Sequence, residues 1–241
     1  MRAHSLAVVV AAALVMSTVL GWAQGWDAGD VWLAEDARNT PLPSWFGSTG
    51  LVVVPTAQTL GLKGIQANVN VVDLDDEWQT VASINAGLYE GLEVGVTSLD
   101  EAYAGGDREV VVQAKYRLPT ELFFGPDEGL PMVAIGGRDL GDQVNRAWYL
   151  VLTTQVPLNP GATKRADLTI GVGDTEVSDS PLEGVFAGVD LELFDYMRLN
   201  IEHDGENLNA ALRYFWSEWA VTEAGLLDDD LGFGFSYNTR F

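Results

Sequence analysis

The sequence contains no cysteine and only two histidines in 241 residues, and its 13 basic residues face 35 acidic ones. Each shortage closes off some chemistry. Without cysteine there is no disulfide framework, no thiolate metal ligand and no lipid attachment through an N-terminal cysteine. With histidine confined to His4 and His203, zinc and iron sites lose their usual ligands. The expectation is a chain with no metal and no cofactor. A formal charge of −22 repels a phosphate backbone, which argues against nucleic acid as a partner. Beyond Leu20 no apolar run reaches the length of a membrane-spanning helix.

The first 23 residues carry Arg2, an apolar run from Leu6 to Leu20, and then Gly21 and Ala23 in small-x-small spacing. This pattern predicts a signal peptide cut after Ala23. The run also approaches the length of a spanning helix, so an uncleaved anchor is the competing reading.

What the chain has in quantity is punctuation: 26 glycines and nine prolines. From Gly64 onward they interrupt a period-two alternation every ten to fifteen residues, which is a strand-and-turn rhythm. The segments are 64–73, 77–88, 91–99, 108–118, 130–137, 146–156, 166–173, 183–193, 196–203, 207–216, 219–226 and 231–241. The predicted fold is all-β, a single antiparallel transmembrane β-barrel of about 12 strands (10–14). Three parts follow: 1–23 as signal peptide, 24–63 as a lead-in or plug, and 64–241 as the barrel. An even strand number places both barrel ends on the periplasmic side.

The two faces of each segment differ in kind. In Leu231–Phe241 one face holds Leu231, Phe233, Phe235, Tyr237, Thr239 and Phe241, and the other Gly232, Gly234, Ser236, Asn238 and Arg240. The alternating apolar face ending in Phe241 resembles the C-terminal signal that the barrel-assembly machinery reads, with Phe233, Phe235, Tyr237 and Phe241 as its residues. Elsewhere the second face mixes amides, glycines and charges of both signs, as a polar lumen would. The charged residues expected there are Glu93, Glu109, Lys115, Arg117, Asp167, Asp190, Glu192, Arg198, Glu202, Arg213 and Arg240. They could line a narrow charge-selective pore, or pair with one another in a closed lumen; pairing is favoured, because an unpaired charge in a narrow bore costs several kcal/mol. Trp78, Tyr89, Tyr116, Tyr196, Trp216 and Trp219 fall at segment ends, where interfacial girdles would sit. The expected surroundings are outer-membrane lipid and lipopolysaccharide, whose anionic groups could share divalent cations with acidic loops. A secreted, carbohydrate-binding β-sandwich fits the same alternation, with its apolar faces packed together.

One stretch stands apart from the rhythm. Gly47–Gly64, GSTGLVVVPTAQTLGLKG, resembles the opening motif of the YjbH-like outer-membrane proteins associated with exopolysaccharide production. LYEGLEVGV at 88–96 and LNIEHDGENLNAALRYF at 199–215 are similar in style to that family's turns and acidic hairpins. The resemblance implies a role in polysaccharide export and polysaccharide as a partner. In physical terms Gly47, Gly50, Pro55 and Gly61 make this a turn-rich segment able to fold under or into the barrel mouth. Residues 24–46 read as a partial plug or as a disordered tail.

No catalytic residues are expected. His203 beside Asp204 is the one candidate acid–base pair, and no serine sits in a nucleophile motif. The acidic runs ending at Asp76 and Asp230 and starting at Asp174 lack the spacing of a calcium loop.

Overall fold

The computed structural model describes residues 40–74, 77–100, 108–120, 131–158, 164–177 and 180–240, with Leu74 and Arg240 as backbone only. Phe241, the signal-peptide segment and most of the 24–46 stretch lie outside the described residues. Twelve strands follow in chain order: β1 (Gly64–Leu74), β2 (Glu77–Tyr89), β3 (Leu92–Leu99), β4 (Glu109–Leu118), β5 (Met132–Arg138), β6 (Ala147–Pro157), β7 (Arg165–Thr175), β8 (Gly184–Phe194), β9 (Met197–His203), β10 (Leu208–Phe215), β11 (Ala220–Leu227) and β12 (Asp230–Arg240). Each pairs antiparallel with its neighbour, and β1 closes on β12 from Gly64 opposite Arg240 to Val72 opposite Gly232. Closure leaves no sheet edge unpaired, which is what lets strands sit in a medium that offers no hydrogen bonds.

Turn chemistry sets the strand ends. Asp228 and Asp229 both have positive φ, 50° and 68°, as a two-residue hairpin loop requires if it is to match the strand twist. At the β9–β10 turn the Asp204 carboxylate accepts the Glu206 and Asn207 amides at 3.0 and 2.8 Å.

The period-two pattern resolves into an apolar exterior. Val69, Ile84, Val110, Ile170 and Val185 are all at least half exposed, up to 64% at Val185. A soluble protein would bury such a continuous apolar surface. Here the side chains point out from a single closed sheet, so the sandwich reading is excluded: among the described residues there is no second sheet for them to pack against. Trp78, Tyr89, Tyr116, Tyr196, Trp216 and Trp219 all lie exposed on the outer surface near strand ends. Phe194, Tyr196, Tyr214 and Trp216 form a continuous run of ring contacts at 5.8, 5.5 and 4.9 Å.

The interior departs from a uniformly polar lumen. At the end away from Gly64 the inward side chains Val72, Val81, Leu99, Val111 and Leu227 are buried and apolar. Polar side chains crowd the middle and the end near Gly64. The reason is a second body inside the barrel, made by the chain that precedes β1.

Candidate functional site: a filled bore

Residues 40–61 enter at the mouth where β1 begins, rise into the bore and return to the same mouth. Thr40, Pro41 and Gly61 all lie beside Gly64 there. The segment has no helix and no regular strand. Its own backbone bonds make only a knot of turns: Trp45 N to Val52 O at 2.7 Å, Gly50 N to Leu42 O at 2.8 Å, and Leu51 N to Val54 O at 2.8 Å. Most of its remaining N–H and C=O groups therefore need partners from the barrel wall, since buried backbone groups are costly to leave unpaired.

The wall supplies them. Glu202 on β9 accepts three successive amides, Val52 at 2.9 Å, Val53 at 2.6 Å and Val54 at 3.1 Å. Glu93 on β3 accepts Thr49 N at 2.8 Å and Leu60 N at 3.0 Å. Arg213 on β10 does the converse, donating to the carbonyls of Pro43, Gly50 and Leu51 at 2.8, 3.1 and 2.7 Å, while its Nε donates to Glu223 at 2.9 Å. Lys115 on β4 donates to the carbonyls of Thr49 and Thr56 at 2.6 and 3.0 Å and lies 3.9 Å from Glu93. Amides complete the grip: Gln66, Asn68 and Asn70 of β1 donate to the carbonyls of Pro41, Ser44 and Trp45. Thr153 accepts Ala57 N at 2.9 Å.

Apolar side chains of the plug meet the apolar parts of the wall. Trp45, Val52 and Val53 pack with Val72, Ala211 and Leu227; Leu51, Val54 and Ala57 pack with Tyr149, Val151 and Phe186. Burying each large side chain is worth about 1.5–3 kcal/mol, and this packing adds to the polar grip. Close approach requires small wall residues. A Cβ at Gly232 would stand 2.3 Å from the Trp45 ring. At the tip, Gly47 has φ +119°, and a Cβ there would strike Thr97 and Gln113 at 2.2 Å.

The expected lumen charges divide by role. Glu93, Lys115, Glu202 and Arg213 are fully buried and hold the plug backbone. Arg198 on β9 pairs with Asp190 on β8 at 3.3 Å and stacks over the Phe215 ring at 5.0 Å. Glu109 lies half-buried at the far mouth, and Arg117 half-buried at the near one. The side chain of Arg240 is outside the described residues. Phe235 and Tyr237 are exposed on the outer face of β12, with Phe233 half-buried beside them. Pairing within the lumen covers only part of the charge; the principal partner of the four deepest groups is main chain. Glu223 was missed because β11 alternates poorly, and Arg138, whose guanidinium lies 5.4 Å from the Phe46 ring, because β5 ends there.

Beneath the plug, at the near mouth, lies a cavity of about 800 Å³ whose walls include Gln58, Leu60, Arg117, Gln155 and Asn238. At the far mouth sit the buried apolar side chains Val72, Val81, Leu99, Val111 and Leu227. His203 points to the outer face and its Nδ1 accepts Gly205 N at 3.0 Å, while Asp204 is engaged in the same turn. His203 is the last residue of β9 and Asp204 opens the turn that follows.

No family model and no curated protein matches this chain. Among solved structures it is similar in fold to a KdgM porin, at TM-score 0.46 and 11% identity, with 74% of this chain and 99% of that one covered. A KdgM porin in complex with disordered oligogalacturonate gives TM-score 0.46 and 12% identity over 74% and 99%. The N-terminal β-barrel domain of Pseudomonas aeruginosa OprF gives 0.24 and 10% over the same shares.

Proposed function

We propose that this chain is an outer-membrane β-barrel that rests closed, its bore occupied by residues 40–61, and that it passes small solutes when that segment shifts. The apolar exterior with aromatic strand ends supports the membrane. One observation carries the closed state: four buried charged side chains, Glu93, Lys115, Glu202 and Arg213, are spent on the plug backbone. A structural filler would be expected to be apolar throughout. Charged groups that hold main chain are costly to bury and can be re-solvated when water enters, which suits a segment that must be both seated and released. The near-mouth cavity supplies water on the side from which the plug would withdraw.

Purified protein in planar bilayers tests this. The full chain is expected to be silent apart from rare openings, and a chain lacking residues 41–60 to give sustained current steps. Steady conductance of the full chain would refute closure, and silence of the shortened chain would refute the channel.

A second reading follows from the segment itself. The stretch that resembles the YjbH-like opening motif, Gly47–Gly64, overlaps most of the plug and ends at the first residue of β1. On that kinship the barrel would serve exopolysaccharide export, with the plug as its stopper. Loss of exported polysaccharide on deletion of the gene, restored by the full chain, tests it. Neither reading assigns a catalytic step.

A further inference from the structure

One part of the bore wall is only partly satisfied by the plug, through Gln58 and Asp167. On the inward face of β7, β8 and β9, Asp167 stands directly opposite Asp190, and Asp190 directly opposite Asn200. Like charges directly opposite across two strands are destabilising. Two cationic partners stand off from them: Arg165 Nε is 3.4 Å from Asp167, and Arg198 Nη1 is 3.3 Å from Asp190. A charge-assisted contact is usually 2.7–2.9 Å. Glu192 lies on the same face one step along, opposite Arg198 in the strand register. One oxygen each of Asp167, Asp190 and Glu192 has no hydrogen-bond partner.

The decisive residue is Asn200. It is fully buried, and neither its side-chain oxygen nor its nitrogen is bonded. A buried amide with both ends unpaired calls for an ion or water to complete it. From this geometry we infer that Asp167, Asp190 and Asn200 bind one hard divalent cation, calcium or magnesium, reached from the near-mouth cavity. Gln58 and Gln155, which line that cavity, both donate to Asp167, at 2.8 and 3.5 Å, and so connect the two places.

The donor set is all oxygen, two carboxylates and one amide, which selects calcium or magnesium over softer metals. Among the described residues no three acidic or imidazole side chains converge on one point. Water therefore completes the shell, as magnesium and weaker calcium sites permit. The site is independent of the channel reading: it could stiffen this wall whether or not the bore conducts.

The test is calcium chloride titrated into the full-length, detergent-purified protein by calorimetry, with thermal unfolding in calcium and in EDTA. Asp190→Asn and Asn200→Ala are compared with wild type, and Glu176→Gln in an exposed loop serves as control. Wild type and E176Q are expected to bind one calcium more than D190N, and N200A to bind it roughly 10–100-fold more weakly. In EDTA, N200A should melt no lower than wild type, because it removes an amide that nothing satisfies; calcium should then raise the melting points of wild type and E176Q alike, that of N200A less, and that of D190N not at all. Equal binding and equal calcium shifts in all four proteins would leave only diffuse binding by acidic loops and overturn the site.

Discussion

Glu202→Ala is the sharpest perturbation of the closed state. Its carboxylate accepts three consecutive plug amides, Val52, Val53 and Val54, and also Asn209 Nδ2 at 3.1 Å. Hydrogen bonds to a charged group contribute about 1.5–3 kcal/mol each. The sum overstates the loss, because removing a buried carboxylate also relieves its own desolvation cost. Asn209 keeps a second acceptor in Asp204 at 2.9 Å, so little is lost there. A net weakening of about 3–4 kcal/mol raises the displaced fraction of plugs by roughly 10²–10³-fold. Hydrogen exchange followed by mass spectrometry reads this directly in peptides covering residues 49–60. Those amides should exchange faster by that factor while the strand amides of β1 and β12 keep their protection, and current steps should appear in the bilayer. If the plug amides exchange at the wild-type rate and the bilayer stays silent, the carboxylate is not what seats the plug.

Three further outcomes follow from the same geometry. Gly232→Val should unseat Trp45, since even a Cβ would lie 2.3 Å from its ring. Overpacking of this kind costs about 1–3 kcal/mol, to be read as a lower midpoint in urea and faster exchange at Trp45. Lys115→Met strands Glu93, 3.9 Å away, as a buried unpaired charge, and should cost about 3–5 kcal/mol. Adding Glu93→Gln should recover part of it, a coupling that a double-mutant cycle in denaturant measures. Ile170→Arg places a charge on the outer face, where Ile170 is 53% exposed. In lipid it should cost about 2–4 kcal/mol, seen as lost folding into vesicles; unchanged folding would argue that this face does not meet lipid.

The strands were legible because burial on one face imposes a period that turns cannot disguise. All twelve segments expected from alternation correspond to strands, with ends that coincide or shift by at most two residues. The shifts fall where turn chemistry decides, as at Asp228–Asp229, whose left-handed backbone starts β12 at Asp230. The weak alternation of β11 had its own cause: inward Gly225 carries no side chain and inward Val221 and Leu227 are apolar.

The sequence by itself determined twelve alternating segments, each with one apolar face and an opposite face that includes Glu93, Lys115, Glu202 and Arg213; that the sheet closes and turns its apolar face outward was decided by the structure. It could also have hinted at the plug. Gln66, Asn68, Asn70 and Asn85 line one face with amides, which both donate and accept and so suit a main-chain partner better than another side chain. Only the tertiary structure decided what those groups hold. A stretch of turns such as Gly47–Gly64 has no period of its own, so nothing in it says where it lies. Its place inside the barrel is fixed by contacts between residues as far apart as Val52 and Glu202, which exist only once the sheet has closed around it.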